Sequence, residues 1–364
     1  MDSVRIVGVG AFVPHRVIPN ARIARAIPGW SAERIEEKTG IRERRFLWDF
    51  DTEQGQALPP PPDAFVYPAC NVEMCEVALE RALRMAKLNA TDLDGIFLVT
   101  CTPDELNFNH DAMALHQRLG CRRDAFALVN DDGCGGTPYT IDLARRMIAG
   151  GSFKTIAVIG SAFSSPYLNR RLYTSEITPT PGDKALNAYL SMYVFGDGAG
   201  AVVLRGDVEG NSGILASYSG NDHAELVLRR GGGALKPAHQ GYGDTAEMAF
   251  VVNGQEVART YPQYMKRCID EVLKETPGLA PEVKRYYLHQ PNKRLVDLFV
   301  SSAGLPADRV ACRVDQYGNT SAAGMVIPLW EDLAEGRLRL GGGDLVLLAA
   351  VGANVHYGAQ LLRL

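Results

Sequence analysis

The 364-residue chain has no long hydrophobic run, no cysteine pair at metal-binding spacing and no excess of basic charge. No apolar stretch approaches the roughly 18 residues that argue for a membrane span. Met1-Asp2-Ser3-Val4-Arg5 lacks the charged and apolar regions of a signal peptide, so a cytoplasmic protein is expected. A net charge of −4 gives no general pull towards nucleic acid. The seven cysteines (70, 75, 101, 121, 134, 268, 312) are odd in number, none forms a C-x-x-C pair, and the chain is too long to need stapling. Disulfides and structural zinc are therefore not expected. What remains is an ordinary globular composition, 46% hydrophobic and 22% charged. Such a chain buries a sizeable core as one double domain or as two domains.

Short β-rich runs (Val4 to Gly10, Gly95 to Thr100, Ala125 to Val129, Thr155 to Gly160) alternate with amphipathic stretches. Between Glu73 and Leu88, for example, Ala78, Leu79, Ala82, Leu83 and Met85 recur as one face of a helix does. The series begins again after Gly206, with strands at Gly213 to Ser217, Tyr286 to Leu288 and Leu345 to Leu348. Alternation of this kind predicts an α/β sheet covered on both faces. The restart places a boundary near Asp207, with residues 1–207 and 208–364 as halves. Two stretches interrupt the order. Residues 48–62 are acidic and then proline-rich, which predicts an extended surface loop, and 164–190 are polar and turn-rich, as a lid or pocket wall would be.

One short pattern occurs twice. Gly133-Cys134-Gly135-Gly136-Thr137 and Gly318-Asn319-Thr320-Ser321 each read as a small-residue turn opening a helix, and Cys134 and Asn319 lie 185 residues apart, about half of the chain. Duplication therefore predicts a cysteine and an asparagine at matching helix starts, contributing to one site. A thiol at a helix start feels the positive end of the dipole and nearby N–H groups, which favours the thiolate. A small apolar residue in a buried turn is the plain alternative for Cys134. His289, after the strand Tyr286 to Leu288, has an imidazole able to donate to an oxygen or take up a proton near neutral pH. Asn319 has an amide able to donate to a developing oxyanion, although asparagine is also a common N-cap.

Cys134 in Gly-Cys-Gly-Gly, His289 in His-Gln-Pro-Asn and Asn319 in Gly-Asn-Thr-Ser resemble the Cys, His and Asn motifs of β-ketoacyl-acyl carrier protein synthase III, a thiolase-fold condensing enzyme. The similarity extends through Lys38 to Arg44, Phe195 to Gly200 and Val351 to Arg363, and the 30 residues between His289 and Asn319 suit the family. The resemblance implies a five-layered αβαβα fold built from two duplicated halves, a homodimer, and coenzyme A or carrier-protein thioesters as substrates, with no metal or redox cofactor. It also implies that Cys134 takes the acyl group, and that His289 and Asn319 stabilise the enolate of a decarboxylating malonyl-type or β-ketoacyl thioester. The oxyanion hole would use the backbone N–H of Cys134 and that of Asn354.

The departures narrow the expectation. Arg34 aligns where the family commonly stacks a tryptophan on adenine, while Lys38 keeps a positive charge for phosphate. Both, with Asn292, are candidate substrate contacts, and a carrier-protein donor gains over coenzyme A. Phe108 resembles a residue that reaches into the partner subunit's acyl pocket. Lys293 and Arg294 stand where the family docks its acidic carrier protein, and Arg42, Arg44, Arg45, Arg170 and Arg171 are possible additions to that patch. The altered turn Gly352-Ala353-Asn354 and the two long loops suggest a member dedicated to a specialised pathway such as polyketide synthesis. Acyl transfer from Cys134 to an alcohol or amine remains an alternative. So does aldol condensation of the 3-hydroxy-3-methylglutaryl synthase kind, for which Asp104 or Glu105 would be the acid. A non-catalytic partner subunit is disfavoured because Cys134, His289 and Asn319 are all present.

Overall fold

Ten strands form two five-stranded sheets on one plan. The computed structural model describes residues 4–27, 29–106, 108–174, 190–206, 212–224, 226–228, 231–232, 248–353 and 355–364. The first sheet contains β1 (Arg5–Phe12), β2 (Gly95–Val99), β3 (Phe126–Asn130), β4 (Thr155–Ala162) and β5 (Gly198–Arg205), in the order β1-β5-β4-β2-β3. The second contains β6 (Gly213–Asn221), β7 (Val283–Leu288), β8 (Val310–Ala311), β9 (Leu345–Gly352) and β10 (His356–Arg363), in the order β6-β10-β9-β7-β8. Each strand of the second sheet occupies the place of its counterpart in the first. The directions match too: β5 is antiparallel to β1 and β4, β2 is parallel to β3 and β4, and β6 to β10 repeat the scheme. The first sheet ends at Arg205 and the second starts at Gly213, while position 207 lies outside the described residues.

Helix α1 (Ala32–Thr39) is capped by Ser31, whose Oγ accepts from Arg34 N, and ends at Gly40 with φ of 69°. Helices α2 (Asn71–Ala86) and α3 (Asp111–Arg118) cover the outer face of the first sheet through Leu79, Leu83, Leu115 and the side chains beneath them. Helix α4 (Gly136–Ala149) lies between the sheets, whereas α5 (Gly254–Glu275) and α6 (Lys293–Ser302) cover the outer face of the second. Helix α7 (Val326–Ala334) shares the middle layer with α4, where Ile141, Val326 and Leu329 pack against Val158 and Val202 of one sheet and Val346 and Leu348 of the other. These five layers form the αβαβα thiolase architecture. All eight positions of β4 and of β9 are buried, as both faces of a sandwiched sheet require.

Three local expectations change. Strands β5 and β10 are absent from the strands expected above, and each carries glycine (198 and 200, and 358) within its run. The acidic part of 48–62 folds into a small hairpin, Asp49–Asp51 against Gln56–Leu58, and is not wholly irregular. Asn319 does not open a helix: a 3-10 turn at Ser321–Ala323 intervenes and α7 begins only at Val326. Gly318 at φ 70° and Ser321 at φ 45° are both in the left-handed region, which an α-helix cannot contain. Of the 164–190 stretch, 175–189 lie outside the described residues.

Candidate active site

Cys134 sits just before α4, in the turn that follows β3, the edge strand of the first sheet. His289 directly follows β7, and Asn319 arrives on the loop ahead of α7. All three line one cavity of about 280 Å³ whose walls are mainly apolar, including Phe195, Val257, Tyr261 and Leu295. What each group can do chemically depends on how it is held.

Asn319 is fixed at both ends. Its backbone N–H donates to Val194 O (2.8 Å), its carbonyl accepts from Gly196 N (3.0 Å), and its side-chain Oδ1 accepts from Ser321 N (2.8 Å). With Oδ1 occupied, the amide Nδ2 is the end left to face Cys134, and its hydrogen bond lowers the thiol's pKa. Ser321 Oγ lies 3.5 Å from Cys134 Sγ. His289 is anchored through its backbone, with N–H donating to Ala349 O (2.8 Å) and the carbonyl accepting from Tyr261 Oη (2.6 Å). Its Nδ1 is buried without a hydrogen-bond partner, which leaves Nε2 as the ring nitrogen available to a substrate.

Burial dominates the electrostatics. It pushes the Cys134 thiol up to about 11, against the pull of Ser321, Asn319 and the backbone N–H, while Asp132 adds to the rise. It pulls the His289 imidazole down to about 3. The thiolate expected from the helix start is thus not the resting form: removing the sulfur from water outweighs the helix end, and thiol and imidazole are both neutral at pH 7.

The remaining expected residues divide into those at the cavity and those away from it. Lys38, Asn292 and Arg294 line it, and Lys38 and Arg294 are exposed. Asn292 Oδ1 also caps α6 by accepting from Leu295 N (2.9 Å). Arg34 does not line the cavity: its guanidinium lies 4.5 Å above the Trp30 ring and donates to Gly29 O. Lys293 is paired with Asp297 one helical turn on (2.8 Å). Phe108 is 87% exposed, at φ 53°, and away from the cavity of its own chain. Asn354 lies outside the described residues, but its neighbours Gly352 and Ala353 line the cavity. Arg44 is no part of a surface patch. It is fully buried and donates to Ile18 O, Asn20 Oδ1 and Tyr193 O. Arg42 is held by Asp315 and Arg45 by Glu43. Asp104 accepts from Asn71 N and Val72 N at the start of α2, and neither it nor Glu105 lines the cavity that holds Cys134.

Two groups near the thiol escaped the sequence reading. Asp132 Oδ2 lies 2.6 Å from His356 Nδ1, and Ser321 contacts the sulfur. The acidic pair Asp131-Asp132, one residue removed from the cysteine, is the signal available for Asp132. Among the described residues, no cluster of three or more His, Cys, Asp or Glu is placed to hold a metal ion, and no helix is long and apolar enough to cross a membrane.

Comparison with known proteins gives a consistent picture. Residues 130–223 match the family described as 3-oxoacyl-[acyl-carrier-protein (ACP)] synthase III, and residues 273–364 match its C-terminal family. The beta-ketoacyl-[acyl-carrier-protein] synthase III of Gloeobacter violaceus is 31% identical, over 100% of this chain and 99% of its own. That of Caldanaerobacter subterraneus is 30% identical over 98% and 97%. Among solved structures, the 3-oxoacyl-[acyl-carrier-protein] synthase III of Aquifex aeolicus superposes with a TM-score of 0.78 at 28% identity, covering 99% of this chain and 100% of that one. Xanthomonas campestris OleA, solved with lauric acid and lauroyl-CoA, shares the fold at a TM-score of 0.78 and 16% identity, over 100% and 99% of the two chains.

Proposed function

The chain belongs to the β-ketoacyl-[acyl-carrier-protein] synthase III family of condensing enzymes, and from that premise we propose that Cys134, His289 and Asn319 carry out a decarboxylative Claisen condensation. The observation that carries this reading is the convergence of the three side chains on one apolar cavity. In the first half-reaction Cys134 Sγ attacks a thioester carbonyl, the new C–S bond forms as the old one breaks, and the thiol proton goes to the departing sulfur. In the second, a malonyl-type thioester loses carbon dioxide, and the electron pair left behind is held as an enolate. His289 Nε2–H and Asn319 Nδ2–H donate to that enolate oxygen. A neutral imidazole suits this role, because it donates without leaving a buried charge once the enolate has gone. The enolate carbon then attacks the acyl carbonyl on Cys134, the C–S bond breaks, and the departing thiolate takes a proton from water to restore the thiol.

Exposed Lys38 and Arg294 at the cavity give an acidic carrier protein a cationic rim, which supports a carrier-bound partner substrate and, with Arg34 turned onto Trp30, a donor other than ordinary coenzyme A. A homodimer is supported by β3, an edge strand exposing Phe126 and Leu128. A role in polyketide or related specialised metabolism follows from the departures from the housekeeping pattern.

The test is intact-mass measurement after incubation with a panel of acyl-coenzyme A and acyl-carrier thioesters, followed by malonyl thioester with carbon dioxide measured. The expected result is an acyl adduct on Cys134 that is discharged with carbon dioxide release, and no adduct in Cys134→Ala. Discharge to a hydroxyl or amine acceptor without carbon dioxide would instead establish acyl transfer. An adduct that survives in Cys134→Ala would remove the nucleophile assignment.

A further inference from the structure

Asp132 stands two residues before the nucleophile and is 6% exposed. Its two oxygens have different tasks. Oδ1 accepts from Gly133 N (2.7 Å), within the turn that presents Cys134, and Oδ2 accepts from His356 Nδ1 (2.6 Å). His356 belongs to the other half of the molecule, as the first residue of β10, opposite Gly352 of β9. The contact is close on both sides of the cysteine. A Cβ at Gly135 would lie 2.0 Å from His356 O, and one at Gly352 would lie 2.3 Å from Cys134 Cβ.

A buried carboxylate beside a nucleophilic thiol is unfavourable for catalysis on its own. Its charge opposes thiolate formation at Cys134 and at neighbouring Cys101. A cation on its far oxygen offsets that charge without occupying the cavity, and neither Asp132 nor His356 lines the cavity. We propose that His356 is a positioning residue for Cys134, which holds Asp132 by a charge-assisted hydrogen bond across the two halves and thereby offsets the negative charge next to the thiol.

The surrounding groups leave Asp132 as the partner of His356. Tyr139 of α4 places its ring 4.6 Å from the imidazole. On the neighbouring strand, Asn221 is its register partner. The next residue, Asp222, bonds to Tyr264 Oη and His223 N. Around the thiol itself stand Asp132, Cys101, Ser321, Asn319 and His289, and Asp131 is displaced upward by burial and by Asp132. The Asp132 hydrogen bond is also the largest cause of the raised pKa of His356, so the cation persists to higher pH than a free imidazole would.

The inference rests on Cys134 as the nucleophile, and its test reads the thiol without catalysis. Iodoacetamide alkylation of Cys134 is followed by peptide mass across the neutral to alkaline range in the full-length protein. His356→Gln keeps an amide donor for Asp132 but removes the charge. It is expected to move the alkylation profile to higher pH, with about tenfold slower alkylation at a fixed pH below the midpoint, the effect of one pKa unit. Asp132→Asn is expected to move the profile to lower pH. In the double variant, with no carboxylate left to offset, the profile should match that of Asp132→Asn. An unchanged profile in His356→Gln overturns the proposal, as does a double variant equal to the sum of the two single shifts. If His356→Gln does not fold, a profile in Asp132→Asn that fails to move downward overturns it equally. Failure of acyl loading with these shifts intact would count against the function instead.

Discussion

His289 is held neutral by its surroundings, and that has a cost for folding in acid. Its folded pKa of about 3 lies below the value of an unfolded histidine, so between the two the unfolded chain binds the extra proton. The stability associated with His289 is complete above the unfolded value, near 6.5, and is lost progressively as pH falls towards about 3. His289→Gln is therefore expected to flatten the fall in denaturant midpoint between neutral and mildly acidic solution, measured by urea unfolding of both proteins. A variant that loses stability as steeply as the parent would show that the imidazole is not buried as described. At this scale the sequence was informative about groups that act singly. Cys134 between glycines, His289 after a strand and Asn319 in a tight turn each carry their chemistry in residue type and local setting. Asp132 and His356 do not, because their meaning lies in a contact spanning 224 residues that no periodicity signals. The protonation state of Cys134 was misjudged for a related reason: a helix start is visible in sequence, whereas the depth of burial that outweighs it is not.

The turn carrying Ser321 and the start of α4 are joined by Thr137 Oγ1, which donates to Ala322 O (2.7 Å). Gly160 of β4 lies beneath this contact, where a Cβ would be 2.3 Å from Ala322 O and 2.4 Å from Thr137 Oγ1. Gly160→Ala is expected to destabilise the fold by about 1–3 kcal/mol, the usual cost of overpacking, and to draw Ser321 away from Cys134. Denaturant unfolding measures the first effect and alkylation of Cys134 the second. Unchanged stability would mean that the middle layer yields more easily than its packing implies. Elements whose pattern is continuous were legible, among them β4, β9 and α2. Strands β5 and β10 were not, since in each the glycines that allow close packing also interrupt the apolar run. The register between the halves was only roughly legible, for the inserted 3-10 turn moves Asn319 seven residues ahead of α7.

As a whole the molecule repeats one five-strand plan, and its first sheet ends in an open edge. Phe126 and Leu128 of β3 are 60% and 43% exposed, and an unpaired apolar edge invites another strand. In the proposed homodimer this edge is covered by its copy. Leu128→Lys is expected to halve the mass measured by light scattering in dilute solution. If Phe108 completes the partner's cavity, the same variant also loses acyl loading. A parent protein that is already monomeric would exclude both. The layered class was legible in the alternation of strands and helices, while the dimer entered only through family resemblance.

Strand β10 lies inside the second sheet, between β6 and β9, although it is the last strand along the chain. The residues that close over Cys134 come from the same late region, since Gly352 leaves no room for a side chain against its Cβ and His356 grips its turn through Asp132. During synthesis the thiol therefore emerges well before its enclosure can exist, and until residues 345–363 join the sheet it is open to water. Oxidants and electrophiles that reach it only through the cavity in the finished protein meet an ordinary accessible cysteine in the growing chain. The enzyme's period of greatest chemical vulnerability thus precedes its first turnover.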